Sequence, residues 1–134
     1  MLEAYSTNLA LTANQAIPFN NRKIQKGCTA VLSAPATIQL NKCGIYMVSF
    51  TMTGTSATAG DITVELYKNG IAQPETTVSE SVDAGGTANL SFDTLVQVTT
   101  NNSNCPCASP TLLQVINDIA VTDATVDVVV TKIC

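Results

Sequence analysis

The chain has 134 residues, with six Lys and Arg against ten Asp and Glu and a formal net charge of −4. That length is one domain's worth, since domains most often run to about 100–150 residues, and it can bury a core without a metal or a disulfide. Only 12% of residues are charged while 46% are hydrophobic, which excludes a disordered chain and is short of ionic side chains for a monomer with an ordinary solvated surface.

Thr is the most frequent residue, and β-branched side chains suit a pleated, half-buried surface better than a helix. No window carries a 3.6-residue apolar stripe between capping signals, so the chain reads as all-β. In chain order, short strands are expected over 9–13 and 15–19, followed by a polar loop that holds the one basic cluster, Arg22, Lys23 and Lys26. Two more short strands are expected over 28–32 and 36–40. The clearest strand is 44–53, where Tyr46, Val48, Phe50 and Met52 alternate with Met47, Ser49 and Thr51. Residues 61–68 alternate in the same way, and Asn69-Gly70 follows at once, a pair that takes the positive φ angles of a type I′ turn without strain. Residues 71–80 form a strand broken by Pro74, which places it at an edge or at a bulge because proline cannot donate to a central ladder.

A turn over 83–86 leads into a long strand over 87–98, with Leu90, Phe92, Val96 and Val98 inward and Asn89, Ser91, Asp93 and Gln97 opposite. Residues 99–110 are the longest irregular stretch, and strands over 111–117 and 125–133 close the chain. About nine or ten short strands in a single domain covering residues 1–134 predict a sandwich or jelly roll. No signal peptide and no apolar span of membrane-crossing length is visible, so the chain is expected to stay soluble, with no membrane partner. Its acidic balance argues against nucleic acid as a partner.

The order of segments resembles a known family. An N-terminal strand is followed by Ala16-Ile17-Pro18-Phe19, by Thr37-Ile38-Gln39-Leu40, by Gly44-Ile45-Tyr46-Met47-Val48-Ser49-Phe50, by Val64-Glu65-Leu66-Tyr67-Lys68-Asn69-Gly70, and by a closing Val-rich strand. This pattern resembles the trimeric jelly rolls of the complement/tumour-necrosis-factor superfamily. Within it, the likeness is to the bacterial and phage branch, found at exosporium tips and on phage particles. The resemblance implies a ten-stranded antiparallel jelly-roll sandwich assembled as a homotrimer. The collagen-like stalk of exosporium members does not precede Met1, which suggests a free-standing structural protein.

Self-association is expected on physical grounds as well. The faces opposite the core carry Met47, Leu95, Val129 and Ile133 among hydroxyls and amides, and contiguous apolar surface on a soluble domain marks an interface. Tyr46, Phe50 and Tyr67 are candidate packing residues of that interface, set against the plainer reading of ordinary core aromatics. Arg22, Lys23 and Lys26 are candidates for docking an acidic patch of a partner, set against a solvated loop.

Five cysteines leave one without an intrachain partner if the others pair. Cys28 and Cys43 flank two strands that can form a hairpin. A disulfide between Cys28, Cys43 and the loop cysteines Cys105 and Cys107, a four-sulfur zinc site from the same residues, and small buried thiols all stay open. The single residue between Cys105 and Cys107 speaks against zinc, and the absence of His against a catalytic thiol. Asp118, Asp123 and Asp127 are a candidate calcium cluster on a trimer axis, with turn and solvated strand positions as the alternative.

No catalytic constellation is found, so neither an enzyme nor a cofactor is expected. The expected function is a trimeric decoration protein on the outer capsid surface of a phage or phage-like particle, with itself and the major capsid protein as partners. The alternative is a trimeric fibre-tip or spore-surface module that binds a receptor or glycan.

Overall fold

The computed structural model describes residues 1–27, 29–98 and 111–133. The strands are β1 (Leu2–Leu11), β2 (Asn21–Gln25), β3 (Ala30–Ala34), β4 (Thr37–Leu40), β5 (Gly44–Thr55), β6 (Gly60–Lys68), β7 (Ile71–Ala72), β8 (Val78–Val82), β9 (Thr87–Val98), β10 (Thr111–Asn117) and β11 (Val121–Lys132). A five-stranded sheet runs in the order β2-β1-β11-β5-β9. A second sheet runs β3-β4-β10-β6-β7, with β8 also paired to β6. Every strand pair is antiparallel. From β4 onward the chain crosses repeatedly from one sheet to the other, which wraps the two sheets into a jelly roll. Among the described residues the one helical turn is a 3-10 turn, Pro74–Thr76, and no helix is long and apolar enough to cross a membrane.

The core lies between the sheets because alternate residues of the long strands are apolar. In β5 these are Tyr46, Val48, Phe50 and Met52, all at most 2% exposed, while the other phase carries Met47, Ser49 and Thr51. Phe50 packs edge-on against Phe19, with ring centroids 6.3 Å apart, and stacks on Phe92 at 5.3 Å. Fully burying each such side chain is worth about 2–3 kcal/mol. Gly54 is buried in β5 where a Cβ would meet Val121 Cγ1 at 2.3 Å, so only glycine lets β5 pass the start of β11 without shifting it.

Four sequence expectations change at local features. The first strand begins at Leu2 rather than at residue 9, and the last at Val121 rather than 125. In both, a residue at positive φ interrupts the alternation, Asn8 at 54° and Asp123 at 50°. The two bulges lie on either side of the Leu9–Ala124 pair in the β1–β11 ladder. A bulge adds one residue and inverts the inside-outside phase, which hides the continuous strand from a period-2 reading.

Residues 15–19 form no strand. Ala16 makes an isolated bridge to Ile116, Ile17 N–H donates to the Val115 carbonyl at 2.8 Å, and Ile17 and Phe19 plug the core. The expected strand over 71–80 splits into β7, the 3-10 turn and β8. Pro74 opens that turn, where its missing N–H costs nothing, and Thr76 Oγ1 locks it by accepting from Leu66 N–H at 2.8 Å. The Asn69-Gly70 turn forms as expected, at φ 52° and 79°. The stretch 99–110 lies outside the described residues.

Candidate self-association face

The five-stranded sheet has one face on the core and one face outward, and the outward face concentrates the molecule's exposed apolar side chains. Eight large hydrophobic residues are exposed in the described chain, and six of them, Met1, Tyr5, Ile24, Met47, Leu95 and Ile133, belong to this face. The register aligns them. Met47 sits between Thr131 of β11 and Leu95 of β9, and Leu95 is 57% exposed. Ile133 N–H donates to the Ile45 carbonyl at 2.8 Å, which carries Ile133 alongside β5. Met1 exchanges backbone hydrogen bonds with Lys26, which extends β1 and β2 beyond their strand ends. Half-buried Ile45 and Val129 fill the gaps between these residues. The opposite half of the same face, toward Thr55, is a field of hydroxyls and amides, with Thr53 Oγ1 donating to Asn89 Oδ1 at 2.8 Å and the Thr55 and Thr87 hydroxyls 3.1 Å apart.

Beside the apolar half lies a depression of about 390 Å³ lined by Glu3, Tyr5, Lys23, Thr125, Val126 and Asp127. Tyr5 pairs with Asp127 across the β1–β11 ladder, and Lys23 Nζ lies 3.8 Å from Glu3 Oε2. Asp127 Oδ1 is enclosed without a hydrogen-bond partner. The Asp127 carboxyl is raised from 3.8 to about 6, first by burial, then by its hydrogen bond and like charge with Glu3; the Lys23 charge and the Val128 backbone pull the other way. The arrangement keeps a proton on the Asp127 carboxyl below about pH 6.

The residues singled out from sequence fall in different places. Met47, Leu95, Val129 and Ile133 share the outward face, as the alternation implies. Tyr46 and Phe50, offered as interface residues, are instead core aromatics at 0% exposure; the inward phase of β5 holds them, and Tyr46 Oη donates to the Lys42 carbonyl at 2.7 Å. Tyr67 lies on the outward side of the six-stranded sheet, paired with Gln114 and away from the apolar half. Arg22 and Lys23 lie not in a loop but on β2, an edge strand whose five residues are all exposed, and Lys26 follows it directly.

Asp118, Asp123 and Asp127 do not converge. Asp118 accepts from Thr63 N–H at 2.8 Å and Asp123 sits in the bulge, and no metal-holding cluster exists among the described residues. Cys43 is disulfide-bonded, which rules out the zinc site and the free thiol at that position. Cys28, Cys105 and Cys107 lie outside the described residues. Sequence reasoning missed Met1, Tyr5, Ile24 and the Glu3–Asp127 pair; the alternation of Leu2, Ala4 and Ser6 was the signal that could have revealed β1 and with it this half of the face.

No family model and no curated protein matches the sequence. Solved structures do match. The globular domain of the zebrafish complement 1qA protein superposes with a TM-score of 0.65 at 8% identity, covering 99% of this chain and 96% of that one. Vertex protein P5 of phage PRD1 superposes at 0.67 with 17% identity, again covering 99% and 96%. Rabbit GITRL gives 0.57 at 11% identity, covering 100% and 95%. At such identities the likeness concerns architecture, and over nearly its whole length this chain has the jelly-roll fold of the complement and tumour-necrosis-factor-like globular domains.

Proposed function

We propose that this chain is a non-enzymatic structural protein of a phage or phage-like particle, a homotrimeric jelly roll that decorates the outer capsid surface. One observation carries the reading: six of the eight exposed large hydrophobic residues lie on one face of one sheet. An apolar field that size on a chain with 12% charged residues is stable in water when copies of the chain cover it. Closed cyclic symmetry is the default for homo-oligomers, and the family resemblance selects three subunits. The likeness to a phage vertex protein supports a particle surface as its location. A trimer presents each docking loop three times, so contacts with the major capsid protein that are weak singly become strong together.

The same likeness favours a second reading, placement at a vertex or fibre tip in a few copies, where the outer loops meet a receptor or glycan. Electron cryo-microscopy of particles that carry the chain separates the two. Decoration predicts density at regular symmetry positions over the shell, and the second reading predicts density at vertices or tips alone. Particles that lack the protein altogether overturn both.

A further inference from the structure

Charge is divided unevenly along this chain. Residues 1–44 hold Arg22, Lys23, Lys26 and Lys42 against Glu3 alone, whereas residues 60–98 hold six carboxylates against Lys68 alone. The fold carries three of these cations, Arg22, Lys23 and Lys26, and three of these carboxylates, Glu75, Glu80 and Asp93, to opposite flanks. Strand β2, with Arg22 and Lys23, is one edge of the five-stranded sheet, and β9 is the other. Strand β8 and the 3-10 turn both pack against β9, which adds Glu80 and Glu75 to the flank that holds Asp93. Glu80 Oε2 accepts from Asn89 N–H at 2.8 Å, tying β8 to the β9 edge.

Little of this charge is neutralised internally. Among the described residues the one ion pair is Lys23 with Glu3 at 3.8 Å. Arg22 Nη1 donates to an amide, Gln25 Oε1, at 3.4 Å. The two flanks also match in register. One cross-strand row runs Ile24, Glu3, Val129, Ser49 and Asp93, so the basic strand and Asp93 close opposite ends of the same row. The apolar half of the face lies between them.

We infer that the basic β2 edge and the acidic β8–β9 flank are the two halves of one contact, and that the partner each seeks is a second copy of this chain. This inference rests on the trimer reading above and specifies how its subunits meet. A two-fold contact between like edges would set cations against cations or carboxylates against carboxylates, which is repulsive. A head-to-tail contact sets each cationic edge on the next subunit's carboxylates, and it closes into a trimer when each subunit is rotated by a third of a turn from the last. Edge strands with open backbone groups invite such pairing, and β2 is exposed along its whole length.

The test uses sedimentation of the full chain with paired charge reversals, each checked for native circular dichroism. Arg22→Glu with Lys26→Glu, and separately Glu75→Lys with Asp93→Lys, are each expected to weaken trimerisation at least about tenfold. The chain carrying all four changes has both edges reversed and is expected to regain wild-type association within about threefold. For the wild type, raising salt from about 0.01 M to about 0.15 M, which shortens the screening length from about 30 Å to about 8 Å, should weaken association severalfold. A wild-type trimer indifferent to salt and to both reversals overturns the edge contact and leaves the trimer standing, as does a reversal pair that strengthens association. A wild type that stays monomeric at about 100 μM removes the trimer reading, and the edge contact with it.

Discussion

The outward faces of the two sheets are built from similar strands and meet water in opposite ways. On the six-stranded sheet the polar side chains pair with one another. The hydroxyls of Thr63 and Ser79 lie 2.6 Å apart, Thr77 donates to Glu65, Ser81 donates to Asp61, and Gln114 Nε2 donates to Thr37 Oγ1 at 3.2 Å. Such a ladder satisfies its own donors and leaves a surface that water covers at little cost. On the five-stranded sheet one half does the same, through Thr53, Asn89, Thr55 and Thr87, while the other half presents Met1, Met47, Leu95 and Ile133. The difference teaches that low ionic content alone does not mark an interface. What marks it is the place where apolar side chains replace a self-paired polar ladder.

Substitutions should separate the two faces from each other and both from the core. The largest loss is expected from Phe50→Ala, which empties the contact between Phe19 and Phe92 and should lower unfolding free energy by about 3–5 kcal/mol in urea titrations. Next is Leu95→Asp, which sets a carboxylate on the β9 border of the apolar half, beside Met47. It should weaken self-association by about 2 kcal/mol, roughly thirtyfold, with thermal unfolding of the dissociated chain little changed.

Asp127→Asn should act in the opposite direction and through pH. The native carboxyl holds its proton more tightly than the unfolded chain does, so its contribution is most favourable below 3.8 and is lost as pH rises through about 6. The asparagine variant is expected to be more stable than wild type above that window, by about 1 kcal/mol at most because solvent screens a half-exposed group. Its stability curve should lack the wild-type inflection between 3.8 and about 6. The smallest effect is expected from Leu112→Asp on the six-stranded sheet. Leu112 is exposed at 41%, and its replacement should change stability by less than about 0.5 kcal/mol and leave the mass in solution unaltered. A Leu112 variant that dissociates as readily as the Leu95 variant would erase the distinction between the faces.

Most of the long strands were legible from alternation, because β5, β6, β9 and β10 run without a bulge and their buried residues all fall on one phase. Thr87–Val98 and Thr111–Asn117 match their expected bounds throughout. The flanking strands were not, for reasons local to each. Asn8 and Asp123 invert the phase of β1 and β11 at bulges on either side of one residue pair, and a period-2 reading stops where the phase changes. Strand β2 has no buried residue, so nothing in its composition distinguishes it from a solvated loop; only its ladder with β1 makes it a strand.

The candidate face was therefore half visible. Its β5, β9 and β11 residues were evident, while those of β1 depended on a pairing partner more than a hundred residues away in sequence, as between Leu2 and Val130, and those of β2 depended on β1 being a strand. Tyr46 and Phe50 show the converse: aromatic residues attract attention as anchors, yet their phase in β5 assigns them to the core.

The central claim is that the apolar half of the five-stranded sheet is covered by copies of this chain. Light scattering coupled to size exclusion, on the wild type beside the Leu95→Asp variant, tests it most directly. The account predicts three times the 14.0 kDa chain mass for the wild type and a shift toward the single-chain mass for the variant. A wild type that elutes at 14.0 kDa across the accessible concentrations, or a variant that stays as large as the wild type, would contradict it.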